Sequence, residues 1–179
     1  PSWNKSGKDL FNDFAQKIIE LLINKDFEVI FRPHPESIKR NKNKFTEISN
    51  EFSANSKFTL DKTIDNFYLN TSSLLITDTS TIAMEFALAF RKPVIYFNHT
   101  KKIHNKDFKS LNIEPLEEIF RNEFGINVQS LEQLNSQLDN VTNLINNENY
   151  NHNLMKFEKK YLYNYTNSIT SALKFLNKD

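Results

Sequence analysis

The stretch LLITDTSTIAMEFALAFRKPVIYF, residues 74–97, carries the clearest sign of a fold class in this sequence. It holds two short apolar runs, 74–77 and 94–97, on either side of a segment with helical spacing at 80–90. Continuous apolar strands that are separated by helices are typical of a parallel sheet covered on both faces. The stretch therefore predicts a β–α–β unit of an α/β fold.

The same alternation continues on both sides of this unit. The spacing of apolar residues predicts helices over 9–24, 41–52, 115–123 and 131–145, one or two helical turns over 64–69, and one or two helices over 156–176. It predicts strands over 28–32, 57–60 and 126–129. The sequence predicts a basic loop at residues 100–111 and a solvated loop at the asparagine-rich residues 146–153. The expected fold class is α/β: a Rossmann-like parallel sheet with helices on both faces and further helices at the C-terminus. A strand would be expected before the first helix, which suggests that the chain begins inside a larger α/β unit.

The amino-acid composition limits the classes of protein to which the chain can belong. The 179 residues are 39% hydrophobic, enough for one domain with a core, and we expect residues 1–179 to form a single domain. The net charge of +1 gives no sign of a nucleic-acid partner, and the absence of cysteine excludes disulfides and a thiol nucleophile. No apolar run approaches the roughly 20 residues of a membrane span. With only two glycines, Gly7 and Gly125, neither a dinucleotide fingerprint nor a P-loop can be built.

One polar cluster, TDTST at 77–81, lies at the end of the strand predicted at 74–77. Ligands of open parallel sheets bind beyond the carboxyl ends of the strands. Asp78 or Thr79 could simply cap the next helix. The hydroxyls of Ser80 and Thr81 would then lie in its first turn, beside free backbone N–H groups, which is an arrangement that binds anions without glycine.

Glu85 is a single acid among apolar neighbours and lies four residues beyond Thr81, on the same helix face. The surrounding apolar residues predict a largely buried helix, so the carboxylate is expected to need a partner. Arg91 is one candidate. A pair of ribose hydroxyls, on a ligand whose phosphates lie at Thr81, is the other.

A second polar cluster, RPHPE at 32–36, follows the strand predicted at 28–32. Its two prolines stiffen an extended segment around His34 and remove two N–H donors. A histidine at a strand end often has only a structural role. Beside Arg32 at a carboxyl-end loop, His34 is also a candidate for contact with phosphate or for proton donation to a leaving group.

Other charged residues are weaker candidates. A basic run predicts a solvated face, with an anionic membrane surface or polymer as the alternative; it comprises Lys39, Arg40, Lys42 and Lys44. His99, His104 and Asp107 match no standard metal-ligand spacing, so neither a metal nor a cofactor is expected.

Taken together, these motifs resemble a known family. RPHP, followed by LLITDTSTIAMEFALAFRKPVIYF, resembles the C-terminal half of CDP-glycerol glycerophosphotransferases, the teichoic-acid and capsule polymerases of GT-B architecture. The family pattern is an HP dipeptide, an apolar strand, TD-aromatic-SS, an acid in the next helix and a KP-apolar strand. PSW at 1–3 and KKYLYNYTNSITSALKFL at 159–176 are similar to the start and end of that half.

The resemblance implies that the chain is the nucleotide-binding half of a two-domain transferase that uses CDP-glycerol or a similar donor. It implies diphosphate contacts from His34, Asp78, Ser80 and Thr81, a catalytic role for His34, and ribose binding by Glu85. Arg32 would offset charge on the leaving phosphate. The polymer acceptor and the general base would lie in an N-terminal half, so the isolated chain is expected to be inactive.

The sequence also departs from the family pattern. Thr79 replaces the usual aromatic residue, Thr81 replaces the second serine, and Asn167 stands where glycine is frequent. These departures concern the identity of the donor more than the fold.

Two alternatives stay open. One is a UDP-sugar glycosyltransferase or epimerase of GT-B architecture. The other is a non-catalytic α/β module that docks on a partner or an anionic surface through residues 39–44 and 101–106. The expected location is the cytoplasm, with peripheral contact to the inner face of the cell membrane as a further expectation.

Overall fold

The computed structural model describes residues 10–63, 65, 67–98, 107–162, 164 and 167–176. The chain divides into two compact units, Pro1–Ile145 and Asn146–Asp179. The strands of the first unit are β1 (Val29–Phe31), β2 (Phe58–Leu60), β3 (Leu75–Thr77), β4 (Val94–Phe97) and β5 (Ile126–Val128). That the whole chain acts as one donor-binding domain stays a prediction.

The helices of the first unit are α1 (Leu10–Asp13), α2 (Ala15–Asn24), α3 (Pro35–Arg40), α4 (Lys42–Phe52), α5 (Phe67–Thr71), α6 (Ile82–Phe90), α7 (Phe108–Leu111), α8 (Leu116–Phe124), α9 (Leu131–Asp139) and α10 (Val141–Ile145). The second unit contains α11 (Glu148–Tyr161) and α12 (Ser168–Leu176).

All the strands pair in parallel, as the sequence predicts. β1 pairs with β2 from Val29 opposite Phe58 to Phe31 opposite Leu60. β4 lies between β3 and β5 in a second sheet. Helices follow each strand, so the α/β, Rossmann-like class is confirmed. Within the described residues, however, the strands form two small sheets and not one.

Helix α2 packs against both sheets. Its Ile19 lies in a buried cluster with Val29 of β1, whereas Ile18 lies in a cluster with Ile95 and Phe97 of β4. Leu22, one turn further along, packs against both clusters. One amphipathic helix therefore supplies core residues to both halves of the unit.

Contacts at the two ends of α2 define the direction of the strands. The Phe14 ring, just before α2, lies 4.8 Å from that of Phe97 at the end of β4. At the other end, Lys25 forms an ion pair with Asp139, the last residue of α9. Helix α2 thus runs antiparallel to β4, and the short turn into β1 reverses the chain again. All five strands therefore point the same way, and their carboxyl ends share one edge of the unit, which we call the carboxyl edge.

The opposite face of β4 carries a buried aromatic–cation contact. The guanidinium of Arg121, in α8, lies 5.1 Å from the centre of the Tyr96 ring, and its Nη1 donates a 2.9 Å hydrogen bond to Glu118. A Cβ atom at Gly125 would lie only 2.4 Å from the Tyr96 ring. Glycine is required at this position because the backbone before β5 passes directly over the tyrosine.

Several segments differ from the sequence predictions. The loop predicted at 146–153 is wrong, because α11 begins inside it and the Asn147 side chain caps it by accepting from the Tyr150 N–H at 3.3 Å. The helix predicted at 131–145 is interrupted at Asn140, and the one predicted at 9–24 at Phe14. Residues 100–106 of the predicted basic loop lie outside the described residues, and its last part forms α7.

Candidate functional site

Both predicted polar clusters lie at the carboxyl edge. RPHPE follows β1 and TDTST follows β3. The residues that begin at Asp61 follow β2, the neighbour of β1, at the same edge. We call the turn from β1 into α3, with the residues after β2, the first corner, and we call residues 78–90 the second corner.

Arg32 is held by the chain that leaves β2. Its Nη1 donates a 2.8 Å hydrogen bond to the carbonyl oxygen of Asp65 and lies 3.6 Å from Oδ2 of Asp61. The Arg32 side chain is 31% exposed, so the fold does not enclose it completely. The structure therefore places a fixed cation at the carboxyl edge, where the sequence predicts contact with phosphate.

His34 occupies a helix N-cap. The prediction of a simple extended segment is wrong beyond His34, since α3 begins at Pro35, a position where proline is favoured because its missing N–H would have no partner. The N–H of Glu36 donates to His34 Nδ1 at 3.1 Å. When neutral, the exposed imidazole therefore carries its proton on Nε2, where it can be donated to a ligand.

Much of the positive charge near α3 is already paired. Lys39 and Arg40 lie 3.0 and 3.7 Å from the two carboxylate oxygens of Glu36. The hydrogen bond and the charge of Lys39 hold the pKa of Glu36 below its usual value. Further along the run, Lys44 contacts Gln16 and Glu47. These contacts favour the solvated-face interpretation of the run; contact with a membrane stays a prediction.

In the second corner, α6 begins without a side-chain cap. The N-cap residue is Thr81, whose side chain makes no capping hydrogen bond, so neither Asp78 nor Thr79, the alternatives named above, occupies the cap position. The carbonyls of Ser80 and Thr81 accept bonds from the N–H groups of Ala83 and Met84, at 3.3 and 3.1 Å. Asp78 is buried, Ser80 half-buried and Thr81 exposed. The first turn thus presents hydroxyl groups at the positive end of the helix dipole.

Glu85 is exposed, which corrects the expectation of a buried carboxylate. Helix α6 buries one face, formed by Ala83, Phe86, Ala87 and Leu88. Thr81, Glu85 and Ala89 are four residues apart and form an exposed stripe on the other side. To other residues in the described part of the chain, the Glu85 carboxylate makes neither a hydrogen bond nor an ion pair, so Arg91 is not its partner there.

Asp61 is a site residue that the sequence analysis missed. It follows β2 directly, its side chain is fully enclosed, and it is the carboxylate nearest to Arg32 in the first corner. The available signal was an aspartate with a threonine two residues later, a spacing typical of a turn closed by the aspartate side chain.

In the described ranges, no group of three or more histidine, aspartate or glutamate residues could hold a metal ion. His99 and His104 lie outside those ranges. Of the helices that the structure describes, none combines the length and the apolar character needed to cross a bilayer.

Comparison with known proteins agrees with the motifs. The family model described as CDP-glycerol:poly(glycerophosphate) glycerophosphotransferase matches residues 4–172. The chain is also similar to the minor teichoic acid biosynthesis protein GgaB of Bacillus subtilis (strain 168), with 29% identity over 110 residues. This match covers 57% of the chain but only 11% of GgaB. No solved structure matches the chain significantly.

Proposed function

The chain belongs to the CDP-glycerol:poly(glycerophosphate) glycerophosphotransferase family, and from this premise we propose that it is the donor-binding domain of such a transferase. It binds CDP-glycerol, or a closely related CDP-activated polyol phosphate, at the carboxyl edge. The glycerol phosphate is then transferred to a polymer of the cell envelope. Because the match covers only 11% of GgaB, we assign the acceptor site and the general base to other parts of a longer protein.

The exposed stripe of α6 is the observation that carries this proposal. Residues four apart on a helix are separated by about 6 Å along its axis. The ribose hydroxyls of a nucleotide lie at a comparable distance from its 5′-phosphate. A diphosphate at Ser80 and Thr81 would therefore bring the ribose to Glu85, whose carboxylate is exposed and has no partner in the described part of the chain.

The reaction follows from the groups at the two corners. An acceptor hydroxyl oxygen attacks the donor phosphorus that carries glycerol, and the bond from this phosphorus to the bridging oxygen breaks. CMP leaves with the electron pair, while the acceptor proton passes to the general base. Arg32, the Nε2–H of His34 and the first turn of α6 would offset the charge that develops on CMP, which is usually the largest single catalytic contribution.

The charge of the donor indicates the compartment in which it is bound. A nucleotide with two phosphates does not cross a bilayer unaided, because the cost of removing its charges from water is large. We therefore assign donor binding to the cytoplasm, where any contact with the inner face of the membrane would be peripheral.

Calorimetric titration of the chain tests the proposal. We expect CDP-glycerol and CDP to bind more tightly than CMP, and cytidine nucleotides more tightly than UDP. Glu85→Gln should weaken CDP binding about tenfold without changing the affinity for inorganic diphosphate, whereas Ser80→Ala should weaken both. Glu123→Gln, an exposed acid on α8, is the matched control and should leave binding unchanged.

Two results would contradict the proposal. The first is the absence of nucleotide binding by the wild-type chain. The second is equal CDP affinity in the wild-type, Ser80→Ala and Glu85→Gln proteins. A preference for UDP would leave the site in place but replace the CDP-activated donor by a UDP-sugar.

A further inference from the structure

Asp61 and Arg32 come together because their strands are paired. Phe31 lies opposite Leu60 at the ends of β1 and β2. The next N–H, that of Asp61, donates a 2.9 Å hydrogen bond to the carbonyl of Phe31. The sheet register thus fixes the position of Asp61 beside the residue that follows Phe31, which is Arg32.

The Asp61 carboxylate is buried, and its two oxygens differ in the number of hydrogen bonds that they accept. Its side chain has 0% exposure. Oδ1 accepts two hydrogen bonds from Thr63, one from the backbone N–H at 2.8 Å and one from the hydroxyl at 2.7 Å. Oδ2 is buried, and within the described part of the chain it accepts no hydrogen bond. Among the residues that the structure describes, the nearest cation to it is Nη1 of Arg32 at 3.6 Å.

Because Asp61 is enclosed, it cannot contact a ligand directly. It can, however, influence the position of Arg32 in two ways. The first is the charge of Oδ2. The second is the turn closed by Oδ1, which leads the chain towards Asp65, whose carbonyl accepts from Arg32 Nη1. A buried carboxylate costs free energy unless it is paired, so the fold strongly favours an arrangement in which Arg32 remains close.

We propose that Asp61 is a positioning residue that orients the Arg32 guanidinium towards the donor diphosphate. The inference rests on the proposed function, since it assigns how one part of that site is held in place. Nη1 of Arg32 contacts Asp61 and Asp65, which follow β2, and the other guanidinium N–H groups are directed to the phosphate. Removal of the Asp61 charge frees the guanidinium to rotate, and the diphosphate loses a fixed donor.

A double-mutant cycle tests this role with CDP as the probe. The variants are Asp61→Asn, which keeps the shape, Arg32→Gln, and the double variant. We expect Asp61→Asn to weaken CDP binding about tenfold, as for loss of one charge-assisted contact, and to leave cytidine binding unchanged. In the Arg32→Gln background, Asp61→Asn should have no further effect, because its target is absent. Asp139→Asn, which removes the partner of Lys25 at the opposite edge, is the matched control.

Two outcomes of the cycle would overturn the proposal. A purely structural role predicts equal losses with cytidine and CDP, and losses that add in the double variant. If Asp61 only screens the positive charge of Arg32, Asp61→Asn should tighten CDP binding. Failure of the wild-type chain to bind any cytidine nucleotide would instead reject the proposed function, so the two failures are distinguishable.

Nuclear magnetic resonance of the guanidinium provides a readout that does not need the nucleotide. In the wild-type chain, restricted rotation should give separate Arg32 Nη signals, assigned by their loss in Arg32→Lys. In Asp61→Asn these signals should merge into one averaged signal, while the Arg121 signals stay unchanged. Separate Arg32 signals in Asp61→Asn would show that the charge of Asp61 does not hold the guanidinium.

Discussion

The two corners of the carboxyl edge are built in different ways. The first corner is held by polar contacts between side chains and backbone, namely the Arg32 contacts and the His34 cap. Of the residues of α3, Ser37 is the one that is buried. The second corner is held from below by apolar packing, because α6 buries Phe86 and three small or aliphatic residues, while Thr81 and Glu85 are exposed. The comparison indicates that charge is fixed in the first corner and that open binding groups are offered in the second.

The two corners should differ most in the free energy of unfolding that is lost when an apolar side chain beneath them is removed. We expect Phe86→Ala to lower the free energy of unfolding by about 3–5 kcal/mol, because the Phe86 side chain is fully buried under α6. Ile38→Ala in α3 removes a half-buried side chain and should cost about 1–2 kcal/mol. Urea denaturation measures both values. Equal losses would show that α3 depends on apolar packing as much as α6 does.

Alkaline pH should act on the support of the second corner. Burial raises the pKa of Tyr96, in β4 beside β3, to about 12 from an ordinary value of 10.0. The folded state therefore retains the phenol proton at a pH where the unfolded state loses it. The resulting stability, roughly 2–3 kcal/mol, is present below pH 10 and is lost as the pH rises towards 12.

The measurement is the free energy of unfolding as a function of pH, with Tyr96→Phe as the control. The difference between the two proteins should change over this range, since phenylalanine carries no titrating group. A constant difference would show that Tyr96 titrates alike in the folded and unfolded states.

The smallest expected effect concerns the helix caps. His34→Ala removes a side-chain cap from α3 and should cost about 1 kcal/mol, whereas His34→Asn should retain most of it. Thr81→Ala should change stability by less than about 0.5 kcal/mol, because the Thr81 side chain makes no capping bond. Thermal unfolding measures these differences. A large loss in Thr81→Ala would mean that its hydroxyl supports the fold instead of being available to a ligand.

The β-strands were predictable to within one or two residues because continuous apolar runs and flanking polar residues define them; β4 follows the prediction at both ends. Helix α3 was missed because its signals are local: a proline at the first position and a histidine as the cap, which is not a common cap residue. The same holds for Asn147, which lies in an asparagine run that resembles a loop but caps α11.

The candidate site residues could also be identified from the sequence, but the contacts and the exposure of their side chains could not be predicted from it. Glu85 has apolar neighbours in sequence, yet α6 is covered on one face only, so the carboxylate is exposed. The partnership of Arg32 with Asp61 depends on the pairing of β1 with β2, which connects residues that are far apart in the sequence. The residues around each strand show that a strand is present but not which strand becomes its neighbour.

Because α2 contributes Ile19 to one buried cluster and Ile18 to the other, neither sheet keeps its core if this helix detaches. The first unit should therefore unfold cooperatively, with the backbone amides of β1 and β4 becoming exchangeable with solvent in the same opening event. The two corners, however differently they are built, would then be lost and recovered together, and a partly unfolded chain with only one of them intact would not accumulate.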